Sequence, residues 1–470
     1  MASSIAIVLR SSIKGTRTKI ASFAAERRGN VLIIMAFSML PLTAATGMAI
    51  DYSRAARLQT KVNSAADAAA LAAVTTPMMS KSMQEAAQAA SRMFISQASG
   101  LQGLTWKTAL KSTPTTSQTL TSYTMDYGAY KIVVTDINLT GLSRTATVSY
   151  DALSHNTFSN VLQLEESGIG GTATATAKTA PNVDFHILLD TSGSMALPST
   201  SSGLTLLTSK TGGCAFACHS TNDATAIAKD GSRKDYYGVA RSYGIVLRID
   251  EAKLAVQAMM TQAAATSASN KAKYRASLST FAAADSRSNN SFETTQGITG
   301  TLSNVANSAK TVDSSLYYTN GCPTSSFCNN DQDTATSDAF SKMNAMMASP
   351  GNGTNFALDK PQAVMFIITD GMRDESRPGG KPEAEIDRAW CTTIKARGIR
   401  IGVLYTEYLP ESLSDDWSKN NVKPNLYKVE PALKDCASDG LYSKVTTDDD
   451  ITAALNKLFS QAVSTARITE

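Results

Sequence analysis

The chain is poor in charge and in rings. Of its 470 residues 18% are charged and 7% aromatic, whereas Ala, Ser and Thr are abundant. The 43% hydrophobic content still suffices for packed cores, and the length exceeds that of one ordinary domain. The net charge of +4 is concentrated at one end. Arg10, Lys14, Arg17, Lys19, Arg27 and Arg28 against Glu26 leave the first 30 residues at +5, so the rest carries about −1. A nearly neutral body excludes a broad nucleic-acid surface, and the basic arm, lying directly before an apolar run, reads as a topology signal. Cysteine is absent before Cys214. No nucleophile elbow, phosphate loop or dinucleotide fingerprint occurs, so no motif here points to an enzyme.

One run lacks charge altogether: VLIIMAFSMLPLTAATGMAI, residues 31–50. Its 20 residues suit a bilayer span. The arginines before it place the N-terminus in the cytoplasm and about nine-tenths of the chain outside it. Met48, Ala49 and Ile50 give no small-residue cleavage site, and the run is longer than a signal-peptide core, so an uncleaved, single-pass anchor is expected. Pro41 should kink it. A helix continues over 51–74, where Leu58, Val62, Ala65, Ala69 and Ala72 recur at three- and four-residue steps. A second helix is expected over 81–97, with Met83, Ala87 and Ala90 in its stripe. Residues 101–180 are rich in Thr, Ser, Tyr and Val and alternate like strands, best at 131–135, 145–150 and 170–178, with a short helix at 158–164. A long helix followed by a small antiparallel sheet resembles a pilin-like layout, here 51–180.

From residue 181 apolar runs alternate with helical stripes, the pattern of a parallel α/β sheet with helices on both faces. Strands are expected at 183–190, 274–281, 363–370 and 399–405. Helix faces are carried by Ile249, Ala252, Val256, Met259 and Ala263, by Ile386, Ala389, Trp390 and Ile394, and by Ile451, Leu455, Leu458 and Ala462. Two long polar insertions interrupt the alternation, at about 197–244 and 302–352.

The chemistry concentrates where strands end. His186–Met195 reads HILLDTSGSM, an apolar run followed by Asp190, Ser192 and Ser194 on alternate residues, with Gly193 letting the loop bend. A second run, VMFIITDG, ends in Asp370, and the glycine-rich GNGTN supplies Thr354. Five oxygen ligands suit a hard divalent cation, while the lack of His or Cys among them argues against zinc or copper. Asp190, Ser192, Ser194, Thr354 and Asp370 together resemble the metal-ion-dependent adhesion site of von Willebrand factor type A domains. The resemblance implies a Rossmann-like domain over 181–470. It implies direct ligation by Ser192, Ser194 and Thr354, with Asp190 and Asp370 bound directly or through water. It also implies Mg²⁺, with Mn²⁺ or Ca²⁺ as alternatives, and an open position for a partner's carboxylate. No base accompanies the set, because His186 lies on the strand and reads as a buried, satisfied histidine and His155 lies in the pilin-like region.

Six cysteines follow: Cys214, Cys218, Cys322, Cys328, Cys391 and Cys436. Outside the cytoplasm they read as disulfides, with 15 pairings open. Sequence closeness favours 214/218 and 322/328, leaving 391/436. Cys214, Cys218 and His219 form C-x-x-x-C-H, one residue longer than a haem-attachment pattern, so haem or zinc stands as the alternative there.

Residues 26–74 resemble the TadE/TadG-like family of tight-adherence (Flp-type) pilus-assembly proteins; taken together with the type A domain, the resemblance covers most of the chain and is nearest the TadG type. The likeness rests on Arg28-Gly29-Asn30 before the apolar run, Ile50-Asp51-Tyr52 after it, and the Asp67-Ala-Ala-Ala-Leu71 stretch. Processed pilin-like proteins carry Glu five residues after a cleavage-site Gly, whereas Ile34 stands five past Gly29 here, so a retained anchor is expected. The resemblance implies a non-enzymatic component of pilus assembly or adhesion in the bacterial inner membrane. Its bulk would be periplasmic or displayed at the surface, and its partners would be the pilus machinery and a carboxylate-bearing protein. An envelope adhesin unrelated to pili, or a metal- or haem-dependent envelope enzyme, are the alternatives.

Overall fold

A computed structural model describes residues 30–136, 142–217, 226–282, 292–314, 334–375, 383–408, 412–413 and 416–465. The basic arm and Cys218, His219, Cys322 and Cys328 lie outside the described residues. The chain is mixed α/β and divides into two compact units. One comprises Met1–Met78, Ser82–Thr135 and Thr145–Thr176, the other Met79–Lys81, Asp136–Arg144 and Ala177–Glu470.

The first unit begins with α1, Asn30–Ala73, a single helix of 44 residues that runs through Pro41. Its segment Ile33–Ala73 is long and apolar enough to cross a membrane, and its most apolar window is 6% buried. Beyond that window one face turns inward, carrying Ala55, Leu58, Val62, Ala65, Ala66 and Ala69. These small side chains let α2, Met83–Ala98, pack closely against α1 through its own Ala86, Ala87 and Ala90. The second helix starts two residues later than expected, because Ser82 caps it. The Ser82 hydroxyl accepts from Glu85 N–H at 3.2 Å, and the Glu85 carboxylate accepts from Ser82 N–H at 3.0 Å.

Six strands follow: β1 Leu104–Trp106, β2 Thr115–Gln118, β3 Ser122–Asp126, β4 Tyr130–Asp136, β5 Ser143–His155 and β6 Glu166–Lys178. The sheet order is β1-β5-β4-β3-β2, with β6 on β5. The β1–β5, β2–β3 and β3–β4 pairs are antiparallel. Along β4 burial alternates, with Tyr130, Ile132 and Val134 inward, as a one-sided sheet requires. Phe94 of α2 joins helix to sheet, its ring centroid 4.6 Å from that of Tyr130 and 5.9 Å from that of Trp106.

The second unit is built on another six-stranded sheet. Its strands are β7 Val183–Asp190, β10 Tyr274–Phe281, β11 Phe292–Thr299, β12 Gln362–Thr369, β15 Arg400–Thr406 and β16 Tyr442–Val445; β8 Ala226–Ile227 pairs with β9 Arg233–Lys234, and β13 Met372–Asp374 with β14 Glu383–Glu385, outside it. The order is β11-β10-β7-β12-β15-β16. The β10–β7, β7–β12, β12–β15 and β15–β16 pairs are parallel. The expected wholly parallel sheet needs one correction: β11 pairs antiparallel with β10 at an edge, so the sheet is mixed. Every residue of β7 is buried, which requires cover on both faces of the sheet centre. Polar groups inside β7 are paired across the register. Arg275 Nη2 sits 2.6 Å from the Asp184 carboxylate, and His186 Nδ1 lies 2.9 Å from Ser277 Oγ.

The expected polar insertions hold helices of their own. They are α3 Ser201–Lys210, α4 Tyr236–Ser242, α6 Leu302–Thr311 and α7 Thr336–Met346, with the long α5 Arg248–Asn270 between the two pairs. Further on, α8 Arg388–Ala396 and α10 Leu426–Cys436 are joined by the Cys391–Cys436 disulfide, Cα–Cα 5.1 Å, which closes a separation of 45 residues. The short helix α9 Asp416–Asn421 precedes α10, and α11 Ile451–Thr465 ends the described chain.

Candidate metal centre

The strands β7 and β12 lie side by side with Leu189 opposite Ile368, so both deliver their carboxyl ends to one place. Asp190 is the last residue of β7, and Asp370 directly follows β12. Both side chains are fully buried. The Asp190 carboxylate is held from three sides. Its Oδ1 accepts from Ser192 N–H at 2.9 Å and from Ser192 Oγ at 2.6 Å, and its Oδ2 accepts from Thr369 Oγ1 at 2.6 Å. Ser192 Oγ lies 3.1 Å from Ser194 Oγ. The Ser194 and Tyr408 hydroxyls bond Asp370, whose Oδ1 also accepts from Met372 N–H at 3.3 Å. Gly371 makes the turn between them at φ +76°, where a Cβ would come within 2.6 Å of Leu433 Cδ1.

Burial and the neighbouring Asp370 charge push the Asp190 carboxyl up, and burial does the same to Asp370. Among the described residues the cation set against them is Arg248, the first residue of α5, itself buried. Its charge favours ionised Asp370, and its guanidinium lies 5.7 Å from the Tyr408 ring. One amino group donates to the Glu407 carbonyl, while Nη1 has no hydrogen-bond partner among the described residues. Asp370 Oδ2 is likewise buried without a hydrogen-bond partner among the described residues. Two buried carboxylates against one guanidinium leave negative charge uncompensated, and an orphaned carboxylate oxygen beside two serine hydroxyls fits a hard cation. Asp190, Ser192, Ser194 and Asp370 are the residues that would hold it. Among the described residues no three His, Cys, Asp or Glu side chains gather, so an ion here would depend on hydroxyl oxygens as well.

Thr354 does not join this group. Asn182, the residue before β7, donates from Nδ2 to the Thr354 carbonyl at 3.0 Å. Thr354 therefore sits at the amino end of β7. Eight strand residues, about 26 Å, separate that end from Asp190, far beyond the reach of one coordination sphere. Its hydroxyl donates to Asp359 at 2.6 Å and serves the loop before β12. Besides Thr191, Thr280, Thr369 and Thr406 on the strands themselves and their ends, Thr334 and Thr336 are buried threonines near the correct end. Thr334 exchanges backbone hydrogen bonds with Asp374, and Ala335 N–H donates to the Ala282 carbonyl, one residue past the Phe281 that pairs with Asp190. The hydroxyl-rich DTATSD at the start of α7 was the signal in the sequence for this stretch.

A cavity of about 420 Å³ opens beside the cluster, lined among others by Tyr405, Glu407, Tyr408, Tyr427, Glu430 and Lys434. Tyr408 belongs to both, since its hydroxyl bonds Asp370.

Comparison with known proteins adds one sequence relationship. Residues 29–92 match the family described as Flp pilus-assembly TadE/G-like. That stretch covers the apolar part of α1, the alanine-rich part of the same helix and most of α2. A search of curated protein sequences finds no match. Among solved structures, proximal thread matrix protein 1 from the mussel byssus is similar at 10% identity and TM-score 0.32, over 61% of this chain and 49% of that one. One structure of the mussel protein has zinc in its metal-ion-dependent adhesion motif. The pilus adhesin SpaC from Lactobacillus rhamnosus GG matches at 11% and 0.35, over 72% and 35%. The PilB minor pilin from Streptococcus sanguinis matches at 10% and 0.32, over 69% and 75%. The chain spans half or less of the mussel protein and of SpaC. Likenesses this remote decide neither fold nor function.

Proposed function

We propose that this chain is a membrane-anchored, non-enzymatic component of tight-adherence pilus assembly or adhesion that grips a protein partner through a divalent cation. In this reading residues 1–30 are a basic cytoplasmic arm and 31–50 span the inner membrane. Residues 51–180 form a pilin-like region. Residues 181–470 form a von Willebrand factor type A domain, with insertions at about 197–244 and 302–352, in the periplasm or at the surface. The match over 29–92 supports the pilus half. The observation that carries the binding half is the orphaned Oδ2 of Asp370 beside Asp190 and two serine hydroxyls.

A bound Mg²⁺, or Mn²⁺ or Ca²⁺, would supply an electrophile for a partner's carboxylate. The chain's own residues do the rest. Asp190 and Asp370 offset the ion's charge, the Ser192 and Ser194 hydroxyls point into the same space, and either Thr334 or Thr336 supplies the hydroxyl that Thr354 does not. The cavity beside Tyr408 would receive the partner's neighbouring side chains. Calorimetric titration with Mg²⁺ tests the site. Asp190→Asn keeps the hydrogen-bonding shape but removes the charge, and it should weaken binding at least about tenfold, near 1.4 kcal/mol. Unchanged Mg²⁺ affinity in this variant would refute the ligand assignment.

A further inference from the structure

The turn at residues 157–164, TFSNVLQL, contains no charged residue and no long polar side chain except Gln163. Its centre is the 3-10 helix Ser159–Leu162, closed by Gln163 in the left-handed region at φ 64°. The turn is held against α1. The Asp51 carboxylate, one residue past the apolar run, accepts from the N–H groups of Thr157, Phe158 and Ser159 at 2.9, 2.9 and 2.7 Å. Arg54 Nη1 donates to Thr157 Oγ1 at 3.1 Å. Asn156 ties the far side, its N–H donating to the Glu165 carbonyl at 2.9 Å and its Nδ2 to the Leu164 carbonyl at 3.0 Å.

The place where it is held matters. A Cβ on Gly47 would come within 2.6 Å of Phe158 Cβ, so the turn lies directly on that glycine. Gly47 is inside the apolar run, three residues and about 4.5 Å along the helix from its end. Yet Phe158, Val161, Leu162 and Leu164 are all half or more exposed, Val161 at 86%. A fixed, charge-free turn with four bare apolar side chains is not explained by packing within its own unit.

We propose that this turn is a second membrane-contacting element, seated at the boundary between acyl chains and headgroups on the side where α1 emerges. The inference rests on the reading of α1 as a membrane anchor. Interfacial elements enter the bilayer by about 5–10 Å, which matches the depth that Gly47 sets. Asp51 is then a positioning residue, since its three accepted hydrogen bonds hold the turn at the level of the membrane surface. Glu165 and Glu166, immediately after Leu164, mark the return of charge on the aqueous side.

The test uses the full chain reconstituted in phosphatidylcholine–phosphatidylglycerol vesicles and first floated on a density gradient. Val161→Trp adds a fluorophore at an exposed site, and Leu120→Trp, at a position 82% exposed between β2 and β3, serves as control. Emission is compared with wild type in vesicles whose lipids are brominated near the glycerol end of the acyl chains. The emission added at position 161 should fall about twofold, as for a side chain at interfacial depth, and that added at position 120 should not fall. Added emission at 161 that stays unquenched in floated vesicles would overturn the inference and point to a protein cover for the turn. A chain that fails to float would overturn the anchor reading and this inference with it.

Discussion

Asp190, Ser192, Ser194 and Asp370 were legible as a group because each follows an apolar run long enough to fix a strand, and parallel neighbours must bring their ends together. Thr354 was misplaced for a related reason. The loop GNGTN leads into β12, and a loop leading into a parallel strand approaches its amino end, whereas Asp370 leaves the same strand at the other. The distinction has a direct check. Thr354→Ala should leave Mg²⁺ affinity unchanged while costing about 1–2 kcal/mol of stability, because the hydrogen bond to Asp359 is lost. Substituting Ala at Thr334 and Thr336 together should weaken Mg²⁺ binding, and the reverse pattern in the titration would return Thr354 to the site. His186 met its expectation as a buried, hydrogen-bonded histidine and carries a pH dependence. Burial is the main cause of its depressed pKa, down to about 4 from the usual 6.5. The unfolded chain therefore binds the proton more readily, so stability is full at neutral pH and falls as pH drops from about 6.5 to about 4, by at most about 3 kcal/mol. Thermal unfolding should show a shallower acid slope for His186→Gln than for wild type. Parallel slopes would mean that this histidine is not kept neutral by its burial.

Elements were readable in proportion to the strength of their pattern. The strands β7 and β10 lie at the expected residues, and β12 and β15 within one residue of them: β12 is a nearly unbroken apolar run, and β7 and β10, though they carry polar residues, are buried along almost their whole length between helical stripes. The strand β11, FETTQGIT, was missed because an edge strand that stays half exposed has no such run, and β16 is only four residues long. The helices inside the two insertions were missed because Ser, Thr and Gly dilute their stripes. The Cys391–Cys436 bond is the pair that sequence closeness left over after 214/218 and 322/328, and the fold brings it together by running α8 beside α10. Replacing both cysteines by Ala should lower unfolding stability by about 2–4 kcal/mol in chemical denaturation, since the bond closes a long loop. A change below about 0.5 kcal/mol would mean that packing between the two helices already restrains the chain.

At the scale of the molecule, two features of different kind share one chain. The first is a helix that begins as an exposed apolar segment and continues as the alanine-rich spine of a small α+β unit, within a stretch that matches pilus-assembly proteins. The second is a mixed sheet whose central strands end in buried carboxylates and hydroxyls. The apolar helix was plain in the sequence because a run of 20 uncharged residues is long enough to cross a bilayer. The cluster of Asp190, Ser192, Ser194 and Asp370 was readable from the strand ends, whereas Thr334 and Thr336 lie on a connection whose course only the fold determines. The central proposal is that an ion held by the second unit is what the anchored protein uses to grip its partner. The most direct measurement is surface attachment and pilus formation by cells carrying Asp190→Asn, with membrane levels of the protein matched to wild type. Attachment should be lost while the protein remains folded and in the membrane fraction. Wild-type attachment by a variant shown by calorimetry to bind no Mg²⁺ would contradict the proposal.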